Sequence, residues 1–258
     1  MKERVHHDYP YRLKLVHPDG AELRLERKGR WFRIDPAEAP APNEVVVLTG
    51  SSPERVSVTA QALRDGASLT IVAAEPLLAF LKGIGSVEGY PFPSTVDGVP
   101  IDALPYVPVR GVKPLSSFWM GSIRRPRPGN ALRHLMERAR LPEVEPCVLQ
   151  FTFEDGARLV HLDLSLHRET AETWVDAAVA RFGNPEWLVV GCPYGEAESV
   201  ARHVARFAAK RVLVAEIINT SRRALGLPTE LVTPLRDHLV TAGVEAHVFG
   251  TQTSFRFE

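Results

Sequence analysis

Residues 45–55 read Val45-Val46-Val47-Leu48-Thr49-Gly50-Ser51-Ser52-Pro53-Glu54-Arg55, and the rest of the chain is best read outward from them. A short β-branched apolar run bounded by turn residues has the marks of a buried strand. Gly50, Ser51 and Ser52 then turn the chain, and Pro53 with Glu54 opens a helix. A strand feeding a helix through a tight polar loop is a recurrent place for a functional site in α/β proteins. This loop holds no histidine, no cysteine and no glycine-rich phosphate cradle.

Upstream, residues 11–34 alternate apolar and polar around turns at Pro18-Asp19-Gly20 and Lys28-Gly29, which predicts a β-meander with one covered face. Downstream the pattern predicts a helix over 54–65, a strand over 69–73 and a short helix over 76–82. Residues 84–127 carry frequent Gly and Pro and read as short strands and turns. A helix is expected over 129–140, with Leu132, Leu135 and Met136 on one face. A hairpin over 147–153 and 158–164 follows. Helices are then expected over 169–182, 195–208 and 229–242, with strands at 186–191 and 211–218 between them and a closing strand pair at 245–249 and 253–257. The order is a β-rich section followed by alternating α/β, twice over, with no Rossmann or Walker glycine pattern. Two packed sheets covered by outer helices fit this inventory better than one doubly wound sheet, which leaves the hairpins unexplained.

The chain has 258 residues, 45% hydrophobic and 24% charged, enough for one large α/β domain or two small ones. Lys plus Arg and Asp plus Glu both total 31, so bulk charge gives no support to a nucleic-acid or membrane-surface partner. Cys147 and Cys192 are too few for a disulfide framework and lack zinc-site spacing. They are expected as small buried hydrophobes in a reducing compartment. No apolar leader and no long uncharged apolar run are present, so a cytoplasmic location is expected.

In their order, these landmarks resemble the metallo-β-lactamase fold, in particular its lactonase-like and phosphodiesterase-like hydrolases, over nearly the whole chain. Trp31-Phe32-Arg33-Ile34-Asp35-Pro36 is similar to the family's strand ending in Asp-Pro, and Val45–Thr49 to the strand before its T-H-x-H-x-D-H signature. Arg158–Asp163 is similar to the strand carrying the metal-bridging aspartate, and Trp187–Pro193 to the strand after it. Val212–Glu216 is similar to the strand that ends in the last histidine ligand, and Phe249-Gly250 to the turn before the terminal strand. The resemblance implies one domain over residues 1–258, a four-layer αββα sandwich of the α/β class.

Measured against the signature, the two first histidines are Gly50 and Ser52, the aspartate is Glu54 and the last histidine of the loop is Arg55. The third-histidine region, Pro105–Arg110, has no histidine, the bridging aspartate is kept as Asp163, and the final histidine is Glu216. Imidazole and carboxylate hold zinc in this family, whereas a protonated guanidinium cannot ligate a cation. No zinc cofactor is therefore expected.

An Asp163 without its metal is costly to bury unless paired, so Arg55 is expected to pair with Asp163 or Glu54. Should Glu54, Asp163 and Glu216 converge, one carboxyl rises in pKa or Mg²⁺ or Ca²⁺ sits among them. Catalytic candidates are Asp163, His161 and Glu54. Ligand-binding candidates are Ser52, Glu54, Arg55, Asp163, Tyr194 and Glu216. His161 lies two residues before Asp163 and so on the same strand face, although a structural histidine is the plainer reading. His134, His203 and His238 are expected on wet helix faces. Residues 118–127, with Phe118, Trp119 and three arginines, are read as a loop anchored by its Trp. The function expected is a non-catalytic binding or scaffold protein, with a small molecule, another protein or a second copy of the chain as partner. The alternative is a phosphodiesterase- or lactonase-like hydrolase using a carboxylate-bound metal or none.

Overall fold

Phe32 and Ile34, Val45 and Val47, and Leu149 and Phe151 point into one apolar layer, while Val46, Val148 and Val160 point away from it into two others. That alternation is what a strand with both faces covered must show. It sorts the molecule into four layers. The computed structural model describes residues 13–17, 22–27, 29–106, 136, 138–193, 195–217, 232–249 and 253–257.

The first sheet begins with an antiparallel meander of β1 (Leu13–His17), β2 (Leu23–Arg27) and β3 (Arg30–Ile34). It continues in parallel through β4 (Val45–Val47), β5 (Ser68–Ala73) and β6 (Ser86–Pro91). The crossovers are α1 (Pro53–Arg64) and α2 (Glu75–Lys82). The chain then passes to the second sheet with β7 (Ser94–Val96), antiparallel to β8 (Val99–Pro105). The second sheet repeats the plan. β8, β9 (Cys147–Thr152) and β10 (Arg158–His161) are antiparallel, and β11 (Trp187–Gly191), β12 (Arg211–Ala215) and β13 (Ala246–Phe249) run parallel to β10. Its helices are α3 (Glu172–Phe182), α4 (Ala197–Ala205) and α5 (Thr233–Thr241). β14 (Thr253–Phe257) crosses back to pair with β1. Among the described residues each sheet has seven strands, in the orders β14-β1-β2-β3-β4-β5-β6 and β13-β12-β11-β10-β9-β8-β7.

The central layer joins the two sheets through Leu25, Phe32, Val47, Leu149, Phe151 and Phe249, all fully buried. A second layer packs Val56, Leu63 and Leu77 of α1 and α2 on the outer face of the first sheet, and a third packs Val175, Phe182, Val204 and Leu235 on the second. The αββα sandwich expected from the sequence is therefore the architecture found.

Several details differ. α3 starts at Glu172 rather than 169 because Thr170 is used in the preceding turn, accepting from the His167 amide and donating to the Ser165 carbonyl. α5 starts at Thr233, where Pro234 suits a first turn. His203 is 2% exposed rather than wet, on a helix α4 that packs against α5 and with its Nε2 3.3 Å from Glu172 of α3. Met136, expected on an apolar helix face, is 55% exposed. Leu132, Leu135, His134, most of the expected helix 129–140 and the loop 118–127 lie outside the described residues.

Candidate functional site

The parallel strands β3 and β4 end side by side, and the chain leaves β3 through Asp35, whose φ is +47°. Asp tolerates this left-handed conformation better than most residues. The turn aims its carboxylate at the loop after β4. There the Thr49 amide donates to Asp35 Oδ1 at 2.9 Å and the Thr49 hydroxyl donates to Oδ2 at 2.6 Å. In the second sheet the chain leaves β10 through Asp163, also left-handed at φ +52°. The Gly191 amide donates to the Asp163 carbonyl at 2.8 Å, and a Cβ on Gly191 would meet Leu164 Cδ2 at 2.7 Å and the Asp163 carbonyl oxygen at 3.2 Å, so a side chain there crowds the turn.

Arg55, in the first turn of α1, spans the space between the two sheets. Its Nη1 donates to Asp35 Oδ2 at 3.1 Å and to the Thr49 hydroxyl, and its Nη2 donates to Asp163 Oδ2 at 2.5 Å. Tyr106, just past β8, donates its hydroxyl to the same Asp163 oxygen at 2.8 Å. The Asp35 and Asp163 side chains are each 1% exposed and that of Arg55 11%. The pairing of Arg55 with Asp163 expected from charge is thus present, and Asp35, Thr49 and Tyr106 complete a network that the sequence reading did not assemble.

The two carboxyls titrate in opposite directions. Burial pushes Asp35 up from 3.8 to about 6; Arg55 opposes it, the neighbouring charge of Asp163 adds to it, and the Thr49 hydrogen bonds offset only part. Burial also acts upward on Asp163, but the Arg55 guanidinium, the charge of His161 and hydrogen bonds from Arg55 and Tyr106 outweigh it and hold that carboxyl below its ordinary value. Burial alone works against the charge on Arg55, and Asp163 and Asp35 reverse that, so the guanidinium stays protonated. Burial, then the charge of Asp163, raises the Tyr106 hydroxyl well above its usual value. The buried Cys147 thiol, in the same surroundings, is pushed up chiefly by burial.

The other candidates fall into three groups. His161 is buried and close enough to Asp163 to act on it electrostatically. The Ser52 hydroxyl, at the start of α1, makes no hydrogen bond among the described residues, and Glu216 is half-buried after β12. The Glu54 side chain and Tyr194 lie outside the described residues, and with Glu54 so does the Glu54–Asp163–Glu216 cation site. Both cysteines are buried thiols.

The loop after β4 is also roofed. The Cys147 amide donates to the Thr49 carbonyl at 2.8 Å, the Val144 amide to the Ser51 hydroxyl at 3.2 Å, and the Tyr106 amide to the Pro146 carbonyl at 2.9 Å. Gly50 lies directly beneath Pro146, and a Cβ there would sit 3.2 Å from Pro146 Cα and 3.3 Å from its Cβ.

Among solved structures the chain is similar to Igni18, a metallo hydrolase from the hyperthermophilic archaeon Ignicoccus hospitalis, at 12% identity and a TM-score of 0.65, over 96% of this chain and 99% of that one. It is similar to the isothiocyanate hydrolase from Delia radicum gut bacteria at 17% identity and a TM-score of 0.60, over 95% of this chain and 99% of that one. It is also similar to CmlA, a diiron β-hydroxylase from Streptomyces venezuelae, at 10% identity and a TM-score of 0.61, over 96% of this chain but 55% of that one. This chain has the metallo-β-lactamase fold. No family model and no curated protein matches its sequence.

Among the described residues, the metals in the names of Igni18 and CmlA find no cluster of side chains to hold them. The inner oxygens of Asp35 and Asp163 already accept from a guanidinium, and a side chain at Gly50 would have to push Pro146 aside, which lies 3.2–3.3 Å from a Cβ there. Among the described residues no group of three or more His, Cys, Asp or Glu side chains could hold a metal, and no helix is long and apolar enough to cross a membrane.

Proposed function

We propose that this chain is a non-catalytic binding or scaffold protein built on the metallo-β-lactamase fold. The observation that carries this reading is the saturation of the buried centre by Arg55. Hydrolysis at such a centre needs a water activated by a metal or by a base with a free lone pair near the substrate. Asp163 Oδ2 instead accepts from both Arg55 and Tyr106, and its carboxyl is held low, which makes it a poor base. Buried charges satisfied on this scale hold a structure together. A small molecule, another protein or a second copy of the chain would then be engaged by the surface around the centre.

A metal-free hydrolase is the second reading. It rests on Asp35, whose value of about 6 would suit a general base. Against it stand the 1% exposure of that side chain and the occupation of both its oxygens by Thr49.

The test is a hydrolysis panel of a phosphodiester, a lactone and a thioester, run with and without added zinc, manganese or magnesium. Wild type, Asp163→Asn and Tyr106→Phe are compared, with light scattering for self-association. The expected result is no turnover that separates the wild type from the variants. Turnover that disappears in Asp163→Asn while Tyr106→Phe remains folded would move the assignment to the hydrolase.

A further inference from the structure

Asp35 and Thr49 belong to the first sheet, Asp163 and Tyr106 to the second, and Arg55 is the cation that touches both sides. In the sequence register Arg55 stands at the last histidine of the metal-binding loop and Asp163 at the metal-bridging aspartate. The side chain that closes the gap between the sheets thus stands at a metal-ligand position of this fold. We infer that Arg55 is the resident cation of this molecule, a tethered replacement for a metal. Folding is then independent of metal, and removal of Arg55 exposes a latent site for a small free cation between Asp35 and Asp163.

Three observations converge on this. The guanidinium presents its two Nη atoms to carboxylates of opposite sheets, at 3.1 and 2.5 Å, and planar two-pronged donation is what distinguishes arginine from a point charge. The roof of Val144–Pro146 over Thr49–Ser51 sets Pro146 3.2–3.3 Å from a Cβ on Gly50, so a metal-ligating side chain there would first have to push the roof aside. The groups that would remain without Arg55 are two carboxylates, one phenol and one hydroxyl. That all-oxygen set matches a guanidinium or a hard cation, and even with His161 and Cys147 nearby no group of three or more His, Cys, Asp or Glu among the described residues could hold a metal.

The inference concerns what joins the sheets and holds whether or not the surrounding surface binds a ligand. It is tested first on the wild type, by elemental analysis and by melting with and without a strong chelator. Substoichiometric metal and an unchanged midpoint are expected. Stoichiometric zinc, iron or manganese, or a midpoint that falls on chelation, would overturn it. Arg55→Ala is then melted in millimolar guanidinium chloride, with urea as the neutral analogue of the same shape and tetramethylammonium as a cation without donors.

Its midpoint should lie roughly 10 °C below wild type and rise with guanidinium by mass action, while neither control raises it. Arg55→Lys, which keeps the charge without the fork, should melt between the two and gain nothing from guanidinium. If Arg55→Ala is insoluble, the yield on refolding from urea with and without guanidinium provides the same readout. A midpoint equal to wild type, absence of guanidinium rescue, or equal rescue by the controls would each sink the inference.

Discussion

The two sheets place an aspartate at the same point of the same plan. Each sheet turns its antiparallel meander into parallel strands, and each lets the chain leave the last meander strand, β3 or β10, through a left-handed Asp. The two side chains are equally buried and share one guanidinium. Yet one carboxyl rises to about 6 and the other falls below its ordinary value. Burial is common to both, so the difference lies in how one positive charge divides between two negative ones. Asp163 has the shorter contact with Arg55, a phenol donor and the charge of His161. Asp35 has the longer contact, with only Thr49 to help, and it also faces Asp163. Environment at the level of single hydrogen bonds, rather than position in the fold, sets the ionisation.

Replacing each aspartate separately is the strongest way to break this comparison. Asp163→Ala leaves Arg55 with its weaker partner and should lower unfolding free energy by about 3–5 kcal/mol, the scale for removing one side of a buried pair. Asp35→Ala removes a carboxylate whose ionised form is already disfavoured and should cost clearly less. Urea denaturation of both at neutral pH provides the check, and equal losses would mean that the guanidinium is shared evenly.

The next largest effect is in pH. Asp35 binds its proton more tightly in the folded chain than in the unfolded one, so stability falls as pH rises through the window from 3.8 to about 6. The full excursion for one such group is on the order of 3 kcal/mol. Asp163 works the other way. Its contribution is present above the unfolded value near 3.8 and is lost only as pH falls further, through its lowered folded value. Subtracting the denaturation curve of Asp35→Asn from that of wild type between pH 4 and 7 should isolate the falling limb. A flat difference curve would show that Asp35 is ionised throughout. Tyr106→Phe then sharpens the Asp163 side, removing one donor to a charged acceptor, with an expected loss of about 2 kcal/mol in the same denaturation experiment.

The layers were legible in the sequence because residues 11–34 alternate apolar and polar while Val45–Val47 is a continuous apolar run, and both patterns are local signals. The Arg55–Asp163 pair was legible because a kept carboxylate beside lost ligands needs a counter-charge. Asp35 and Tyr106 were not, although both lie in stretches that matched the fold. Asking which histidines were missing draws attention away from a phenol at the third-histidine region and from the Asp-Pro that ends β3. Their convergence also joins elements 71 residues apart, which no local period records. His203 went wrong for a simpler reason. It follows Val200 by three positions and so shares the buried stripe of α4, a spacing the sequence already contained.

Gly50 separates the two halves of the comparison at their smallest scale. At the end of β11 in the second sheet, a methyl on Gly191 would meet the Leu164 tip at 2.7 Å and the Asp163 carbonyl at 3.2 Å, so the aspartate turn itself has to give by a few tenths of an ångström. At Gly50 a methyl would press on Pro146 at 3.2–3.3 Å, a contact relieved by a few tenths of an ångström of movement in the roof. Gly50→Ala should therefore cost only about 1 kcal/mol, the low end of overpacking, and leave the pH difference curve of Asp35 intact. Gly191→Ala should cost more and change that curve, because moving Asp163 moves the charge that Asp35 faces. A Gly50→Ala variant that also altered the Asp35 limb would place Pro146 within the electrostatic centre rather than above it, and the roof would then have to be counted among the groups that divide the guanidinium.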